Sequence, residues 1–446
     1  MDARSAAVTA LLRVQEQGGY SNLVLEELLT QAELGEADRG LASRLLYGVT
    51  ERRLTLDYLL NKTASTPVKK MQPAVREILR VGVYQLVYMD KIPAFSAIHE
   101  AVEQTRRFGC PRLGGFVNGV LRQVERQAKE LLAALPDTDK GLELRHSLPR
   151  AWIRAWREAY GETMLQGMLQ SLGQPAPTYI RVNTCATTTA ALTAKLQELG
   201  VTCTPVADLP DALCVSPAAA LRRLPATMAT HFYMQDIASQ WCCRALEAHS
   251  GERIADVCAA PGGKTMTVAQ YMENTGEMYA GDIHDHKCRV LAERVKRFGF
   301  TSITVRQWDA AQPPDETLVG TCDRVVCDVP CSGMGVIRRK PEIRYKSPDS
   351  FDELPALQLR ILEQAAKLVR PGGVLQYSTC TLRPEENEQV VEAFLQRHPA
   401  FSPRLLPLPA CFAAAGLPVS HQLTLFPPIH GSDGFFIAAF QKHKPE

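Results

Sequence analysis

Four short apolar runs in the second half of the chain each lead to an aspartate. Arg253–Val257 contains Asp256, Met278–Gly281 runs into Asp282, Ile303–Arg306 leads to Asp309, and Arg324–Cys327 runs into Asp328. Such runs are strand-sized, and helix-length stretches separate them, notably Asp285 to Phe298. The alternation predicts a doubly wound parallel sheet from about residue 236 onward. Further strands are expected at Val374–Tyr377 and at Gly434–Phe440, with helices over Asp352–Val369 and Pro384–Arg397. Open sheets of this kind bind ligands outside the carboxyl ends of their strands, where all four carboxylates would stand.

At 446 residues the chain is too long for one ordinary domain, and three are expected. Residues 1–138 should form an all-α bundle. Val75, Ile78, Leu79, Val83, Leu86 and Val87 make one apolar helix face there. Leu41, Leu45, Leu46 and Val49 repeat the pattern upstream, and Val117, Val120, Leu121 and Val124 repeat it downstream. Ala134–Arg150 loses the periodicity, holds two prolines and is expected to be a linker. Residues 142–235 are expected to be a small α+β domain, with strands at Tyr179–Val182 and Val201–Val206 around a helix over Thr188–Leu199. Residues 236–446 are the α/β domain.

Composition mainly excludes. With 46% hydrophobic and 22% charged residues, the chain can bury a core and is not disordered. Lys and Arg number 50 against 48 Asp and Glu, so no strongly basic signature marks nucleic acid, although a local groove can still be basic. None of the 13 cysteines forms a C-x-x-C pair, which counts against zinc ribbons and thioredoxin-like sites. The N-terminus lacks a signal-peptide core. The uncharged run Leu405–Ser432 is broken by five prolines, so no membrane helix is expected there. A cytoplasmic protein with reduced thiols is the expectation.

The loop Cys258-Ala259-Ala260-Pro261-Gly262-Gly263-Lys264 lies between an expected strand and helix. Its small residues allow close backbone approach to a ligand. Asp282, at the next strand end, is placed to bind the ribose hydroxyls of an adenosine cofactor. Asp309 can accept from an adenine amino group. The loop lacks G-x-G-x-x-G, against a nicotinamide cofactor, and lacks the full phosphate-loop pattern despite its Gly-Lys-Thr. His284 and His286 have no matching thiol pair and are read as solvated rather than metal-binding.

Asp328-Val329-Pro330-Cys331 and Ser378-Thr379-Cys380-Thr381 end two strands, so both thiols can face one pocket. A thiolate can attack C6 of a cytosine or uracil, which activates C5 towards methylation. A base must then remove the C5 proton before the thiolate leaves. Asp328 is placed to bind the pyrimidine N3/N4 edge and to stabilise the adduct by hydrogen bonding and proton donation. The chemistry alone leaves open which cysteine attacks.

DVCAAPGGKT, DVPCSGMG and YSTCTLRPEENE, in this order, resemble the RNA cytosine-C5 (m5C) methyltransferases that use S-adenosylmethionine. Gly431–Phe436 and Arg181-Val182-Asn183-Thr184 resemble further motifs of that family. Ala97–Val102 and Phe116–Arg122 are similar to the NusB-like antitermination fold. The resemblance implies three parts: an all-α NusB-like RNA-binding bundle, a small α+β linking domain, and a Rossmann-like class I methyltransferase domain. It implies Cys380 as nucleophile and Cys331 as the aid to proton removal and product release. Cofactor contacts would map to Cys258 through Lys264, Asp282, Asp309 and Asp328, with S-adenosylhomocysteine as product. It implies a cytosine in 16S rRNA not yet assembled into the subunit, and that base must be flipped or single-stranded to reach both thiol and methyl donor. From the residues themselves no metal and no membrane are expected, and with no coiled-coil heptads a monomer is expected. Arg338, Arg339, Lys340, Arg344 and Lys346 follow the Pro-Cys loop, where they could neutralise phosphates; a solvated basic loop is the plainer reading. Competing readings are the same chemistry on tRNA, a non-catalytic RNA-binding or antitermination factor, and, more distantly, a Rossmann oxidoreductase.

Overall fold

The computed structural model describes residues 1–17, 21–31, 34–407 and 420–445. Part of the proline-broken run, 408–419, lies outside the described residues. The chain forms two compact units: Met1–Gly173 with Arg339–Pro348, and Gln174–Arg338 with Asp349–Glu446. No described helix is long and apolar enough to cross a membrane.

The first unit is helical. Its helices are α1 (Ala3–Gln17), α2 (Ser21–Gln31), α3 (Glu36–Glu51), α4 (Arg53–Thr63), α5 (Pro73–Tyr88), α6 (Ala94–Arg107), α7 (Gly114–Ala133), α8 (Asp139–His146) and α9 (Arg150–Ser171). Proline starts α5, where its missing N–H costs nothing. Val75, Ile78, Leu79 and Val83 of α5 pack with Leu45, Leu46 and Val49 of α3 and Val117, Leu121 and Val124 of α7 in one core. Each such side chain contributes about 1.5–3 kcal/mol on burial. A Cβ on Gly48 would lie 2.0 Å from the Tyr84 ring, so glycine is what lets α3 meet α5 there.

Two expectations change in this unit. The expected linker contains α8. Thr138 Oγ1 accepts from Gly141 N at its start, and Ser147 ends it in the left-handed region with φ 52°. Thr55 Oγ1 of α4 donates to Leu144 O at 2.6 Å, and Leu54 N donates to Ser147 Oγ at 2.9 Å. The helix is short and lies between prolines, so it leaves no periodic trace.

The second change concerns the basic stretch after the Pro-Cys loop, of which residues 339–348 belong to the helical unit. Arg344 is 0% exposed, and its guanidinium donates to Glu51 O at 3.2 Å. Tyr345 Oη donates to the same carbonyl at 3.0 Å, and the Arg53 guanidinium stacks 3.7 Å over the Tyr345 ring. Trp152 Nε1 donates to Lys346 O at 3.0 Å. Arg338, in the other unit, donates to Ser432 O at 2.6 Å. Of the five cations considered for phosphates, Lys340 and Lys346 are the exposed ones. Arg338 and Arg344 are taken up by contacts that sequence-adjacent charge does not reveal.

The second unit carries two sheets. The smaller has β1 (Tyr179–Val182), β2 (Thr202–Val206), β3 (Leu209–Ser216) and β4 (Phe232–Met234) in the antiparallel order β2-β3-β1-β4. Leu192 and Leu196 of α10 (Thr189–Glu198) pack on its Ile180, Val182, Leu213 and Val215. Sequence patterning missed β3, whose Pro210 and Asp211 interrupt the apolar run.

The larger sheet contains the parallel strands β5 (Arg253–Asp256), β6 (Glu277–Asp282), β7 (Ile303–Gln307), β8 (Cys322–Asp328) and β9 (Val369–Thr379). The antiparallel strands β10 (Phe401–Pro403), β11 (Gln422–Leu425) and β12 (Phe435–Lys442) extend it beyond β9. The path is β10-β12-β9-β8-β5-β6-β7, with β11 on β12. Strand order reverses at β5, which sets a ligand crevice at the carboxyl ends of β5 and β8. Around the sheet lie α11 (Ile237–Ala245), α12 (Gly263–Tyr271), α13 (Asp285–Arg297), α14 (Leu354–Leu368) and α15 (Glu388–Arg397). Met266, Ala269, Leu291 and Val295 of α12 and α13 share one core with the strands, and Leu362, Ala366, Val391 and Phe394 of α14 and α15 share another.

Arg181 joins the small sheet to α12. It is 1% exposed and donates to Gln270 Oε1 at 2.8 Å, to Tyr271 Oη at 3.2 Å and to Asp211 Oδ2 at 3.3 Å. Asn183 Nδ2 donates to Thr230 O and Phe298 O. The Arg-Val-Asn-Thr stretch is thus a structural joint.

Candidate active site

The strand ends supply the site. Asp256 closes β5 and is 1% exposed. Its Oδ2 accepts from Thr265 Oγ1 at 2.7 Å, while its buried Oδ1 has no hydrogen-bond partner. Burial pushes its pKa up to about 7 against the Thr265 hydrogen bond, and the nearby Asp328 adds to the rise. The chain then turns through Cys258–Pro261 to Gly262, whose φ is 95°. A Cβ there would meet Leu291 Cδ1 at 2.2 Å, so this turn requires glycine twice over. Ala259 N donates to Gly281 O at 2.7 Å, which ties the loop to β6. Burial raises the Cys258 thiol well above its usual value.

Asp282 ends β6, and its Oδ1 accepts from His284 N at 3.0 Å. Asp309 follows β7 and accepts from Ala311 N at 3.0 Å. A carboxylate with one such bond keeps lone pairs for a ligand. His284 and His286 are exposed, and among the described residues no three His, Cys, Asp or Glu side chains gather as a metal would need.

Lys264 reaches from the first turn of α12 to Asp328 at the end of β8, with Nζ 2.7 Å from Oδ2. Burial is the largest single influence and works against the lysine charge, but the Asp328 charge, the hydrogen bond to it and the neighbouring Cys242 and Cys243 together outweigh it, and the pKa ends above the ordinary lysine value. Asp328 Oδ1 accepts from Ser378 Oγ at 2.8 Å. Sequence reading assigned Lys264 to the cofactor and did not single out Ser378; its place at the end of β9, two residues before Cys380, was the available signal.

The two thiols meet. Cys331 Sγ and Cys380 Sγ are 3.3 Å apart although 49 residues separate them, because β8 and β9 are parallel neighbours. The hydrogen bond to Cys380 raises the Cys331 pKa well above the usual thiol value, and burial and the charges of Cys380 and Glu386 act the same way. Two tight glycine contacts hold the Pro-Cys loop down. Gly335 N donates to Cys380 O at 3.0 Å, and Gly434 N donates to Gly335 O at 2.9 Å. Here the Gly431–Phe436 stretch meets the thiol loops. Glu386 and Asn387 hold residues that flank the thiols; as residues they were within reach of sequence reading, as the Glu-Asn that follows Thr-Cys-Thr.

An open sheet with its switch point beside a glycine turn, strand-end carboxylates beyond it and an antiparallel closing strand defines a Rossmann-like methyltransferase domain. Comparison with known proteins narrows this. A family profile described as 16S rRNA methyltransferase RsmB/F matches residues 243–441, the NusB family matches 1–126, and an RsmF/B-like ferredoxin-like domain matches 148–222. The probable ribosomal RNA small subunit methyltransferase B of Bacillus subtilis strain 168 is 36% identical, with 98% of each chain covered. The ribosomal RNA small subunit methyltransferase B of Escherichia coli O1:K1 is 34% identical, again over 98% of each chain. The crystal structure of a methyltransferase homologue from Pyrococcus horikoshii superposes with a TM-score of 0.58 at 29% identity, covering 69% of this chain and all of that one. The chain belongs to the ribosomal RNA small subunit methyltransferase B family, and it is an RNA methyltransferase.

Proposed function

We propose that the protein methylates C5 of a cytosine in 16S rRNA through a covalent bond between Cys380 and C6. The observation that carries this is the 3.3 Å pairing of Cys331 and Cys380 beside Asp328. The names of the relatives support the substrate. The buried, unpartnered Asp256 Oδ1 and the glycine turn fit a polar cofactor at the β5–α12 loop. Cys258–Lys264 would hold S-adenosylmethionine, with Asp282 on the ribose hydroxyls and Asp309 on the adenine amino group. Bound there, it supplies an electrophilic methyl group for C5.

The protein's part is to activate and release the base. The Cys380 thiolate forms a bond to C6, and the C5–C6 π electrons move onto C5 and the ring. Asp328, oriented by Lys264 and Ser378, accepts from the exocyclic N4 amine. Asp328 acts here as an acceptor only, since the Lys264 ammonium already pairs with its carboxylate. Cys331 stays a thiol until release. It then takes the C5 proton and passes its own proton to Cys380 as the S–C6 bond breaks, so protons and electrons balance across the pair. Asp328, Cys331 and Cys380 come from one chain, which supports action as a monomer. A flipped cytosine is reached most easily in RNA not yet covered by ribosomal proteins, which supports a cytoplasmic, unassembled substrate.

The test uses Cys331→Ala with S-adenosylmethionine and protein-free small-subunit rRNA. A protein–RNA adduct that survives denaturing electrophoresis is expected, and it should vanish when Cys380 is also Ala. No adduct, with the wild type still methylating that RNA, overturns the assigned thiol roles.

A further inference from the structure

Consecutive residues of one turn hold the two thiols, one residue to each. After Cys380 the chain folds back through a short turn at Pro384–Glu386. Glu386 and Asn387 are both 0% exposed. Glu386 Oε2 accepts from Ser332 N, the residue after Cys331, at 2.8 Å. Gln358 Nε2 donates to the same oxygen at 2.9 Å and to Pro330 O, the residue before Cys331, at 3.0 Å. Asn387 does the same for the other thiol. Its Oδ1 accepts from Thr379 Oγ1 at 2.6 Å, and its Nδ2 donates to Thr381 O at 3.1 Å. Ser332 Oγ and Thr381 Oγ1, 2.6 Å apart, then join the two loops.

The clamps differ in charge. A buried carboxylate is costly unless its lone pairs are filled. Glu386 Oε1 has no hydrogen bond; Arg383 Nη1 lies 3.5 Å from it. A neutral amide could accept from Ser332 N equally well, so that contact does not call for a charge, which also pairs with the buried Arg383 guanidinium. We propose that Glu386 and Asn387 are the positioning residues of the thiol pair, and that the buried charge of Glu386 on the Cys331 side and the neutral amide of Asn387 on the Cys380 side give the two thiols different electrostatic surroundings. The division of labour rests on the covalent mechanism proposed above; the clamps and the charge effect do not.

The test measures alkylation of Cys331 by iodoacetamide against pH, read by peptide mass spectrometry on the full chain without RNA or cofactor. In the Cys380→Ser background, adding Glu386→Gln should move the midpoint down by about one pH unit. A role in shape alone would not move it. An unchanged midpoint with an unchanged melting temperature overturns the proposal. Should Glu386→Gln unfold the chain, Asn387→Asp in the Cys331→Ser background serves instead. It places a carboxylate beside Cys380, at the loss of the Nδ2 donation to Thr381 O, and the Cys380 midpoint should rise by about one unit. No rise overturns the proposal. A failed adduct assay with these shifts intact would sink the covalent reading and leave the clamps standing.

Discussion

The β5 end and the paired β8–β9 ends of one sheet edge are finished by opposite means. At β5 a buried carboxylate keeps an oxygen without a hydrogen bond, and the turn that follows is held by a glycine packed against Leu291. At β8 and β9 the residues before and after each thiol are tied, by Gln358 and Glu386 on one side and Asn387 on the other. The first arrangement leaves capacity for a ligand or a proton. Under the proposed mechanism, the second fixes the reacting atoms before substrate arrives, which is how an active site avoids reorganising during reaction.

The largest effect should come from the fixed half. Cys380→Ala should cut methyl incorporation by about 10⁴-fold or more, as loss of a nucleophile does. Calorimetry should find S-adenosylmethionine binding unchanged; a matching loss of affinity would break the division between halves. The adaptable half should show itself in pH. Asp256 has its folded pKa raised from 3.8 to about 7. Its stabilising contribution is therefore full below the unfolded value and is lost as pH rises through about 4 to 7. Relative to Asp256→Asn, the wild type should lose on the order of 4 kcal/mol across that window, read from denaturation midpoints. Parallel curves for the two proteins would contradict it.

A smaller effect sharpens the comparison where the halves touch. Lys264 and Asp328 side chains are 15% and 27% exposed, so water screens the pair in part. Lys264→Met should cost about 1–3 kcal/mol, less than a fully buried pair, because it strands a carboxylate. Adding Asp328→Asn should recover part of that loss in chemical denaturation. Purely additive losses would mean the pair does not couple the two loops.

What was legible in the sequence follows from what leaves a local pattern. The apolar runs before Asp256, Asp282, Asp309 and Asp328 announced strands, and strand ends announced an edge. Two thiols 49 residues apart were still legible, since each sat at a strand end. The partners of the clamps were not: Glu386 and Asn387 stand in the sequence just after Thr-Cys-Thr, but Glu386 reaches Ser332 across 54 residues and Gln358 across 28, with no periodicity to mark either contact. The antiparallel strands β10 and β11 are three and four residues long and gave no usable alternation. Arg344 looked like a surface cation because charge is visible in a sequence and burial beside Glu51 and Tyr345 is not.

The stretch 339–348 also orders events in time. Ribosomes deliver a chain from its N-terminus, and the helical unit is complete only when a segment 166 residues beyond Gly173 arrives (339 minus 173). At about 5–20 residues per second the nascent bundle waits roughly 8 to 33 seconds for that segment. Throughout that interval the Trp152 indole N–H lacks the carbonyl that will receive it, and the helical face that will cover Arg344 and Tyr345 stands open. The N-terminal helices are made first and finished late.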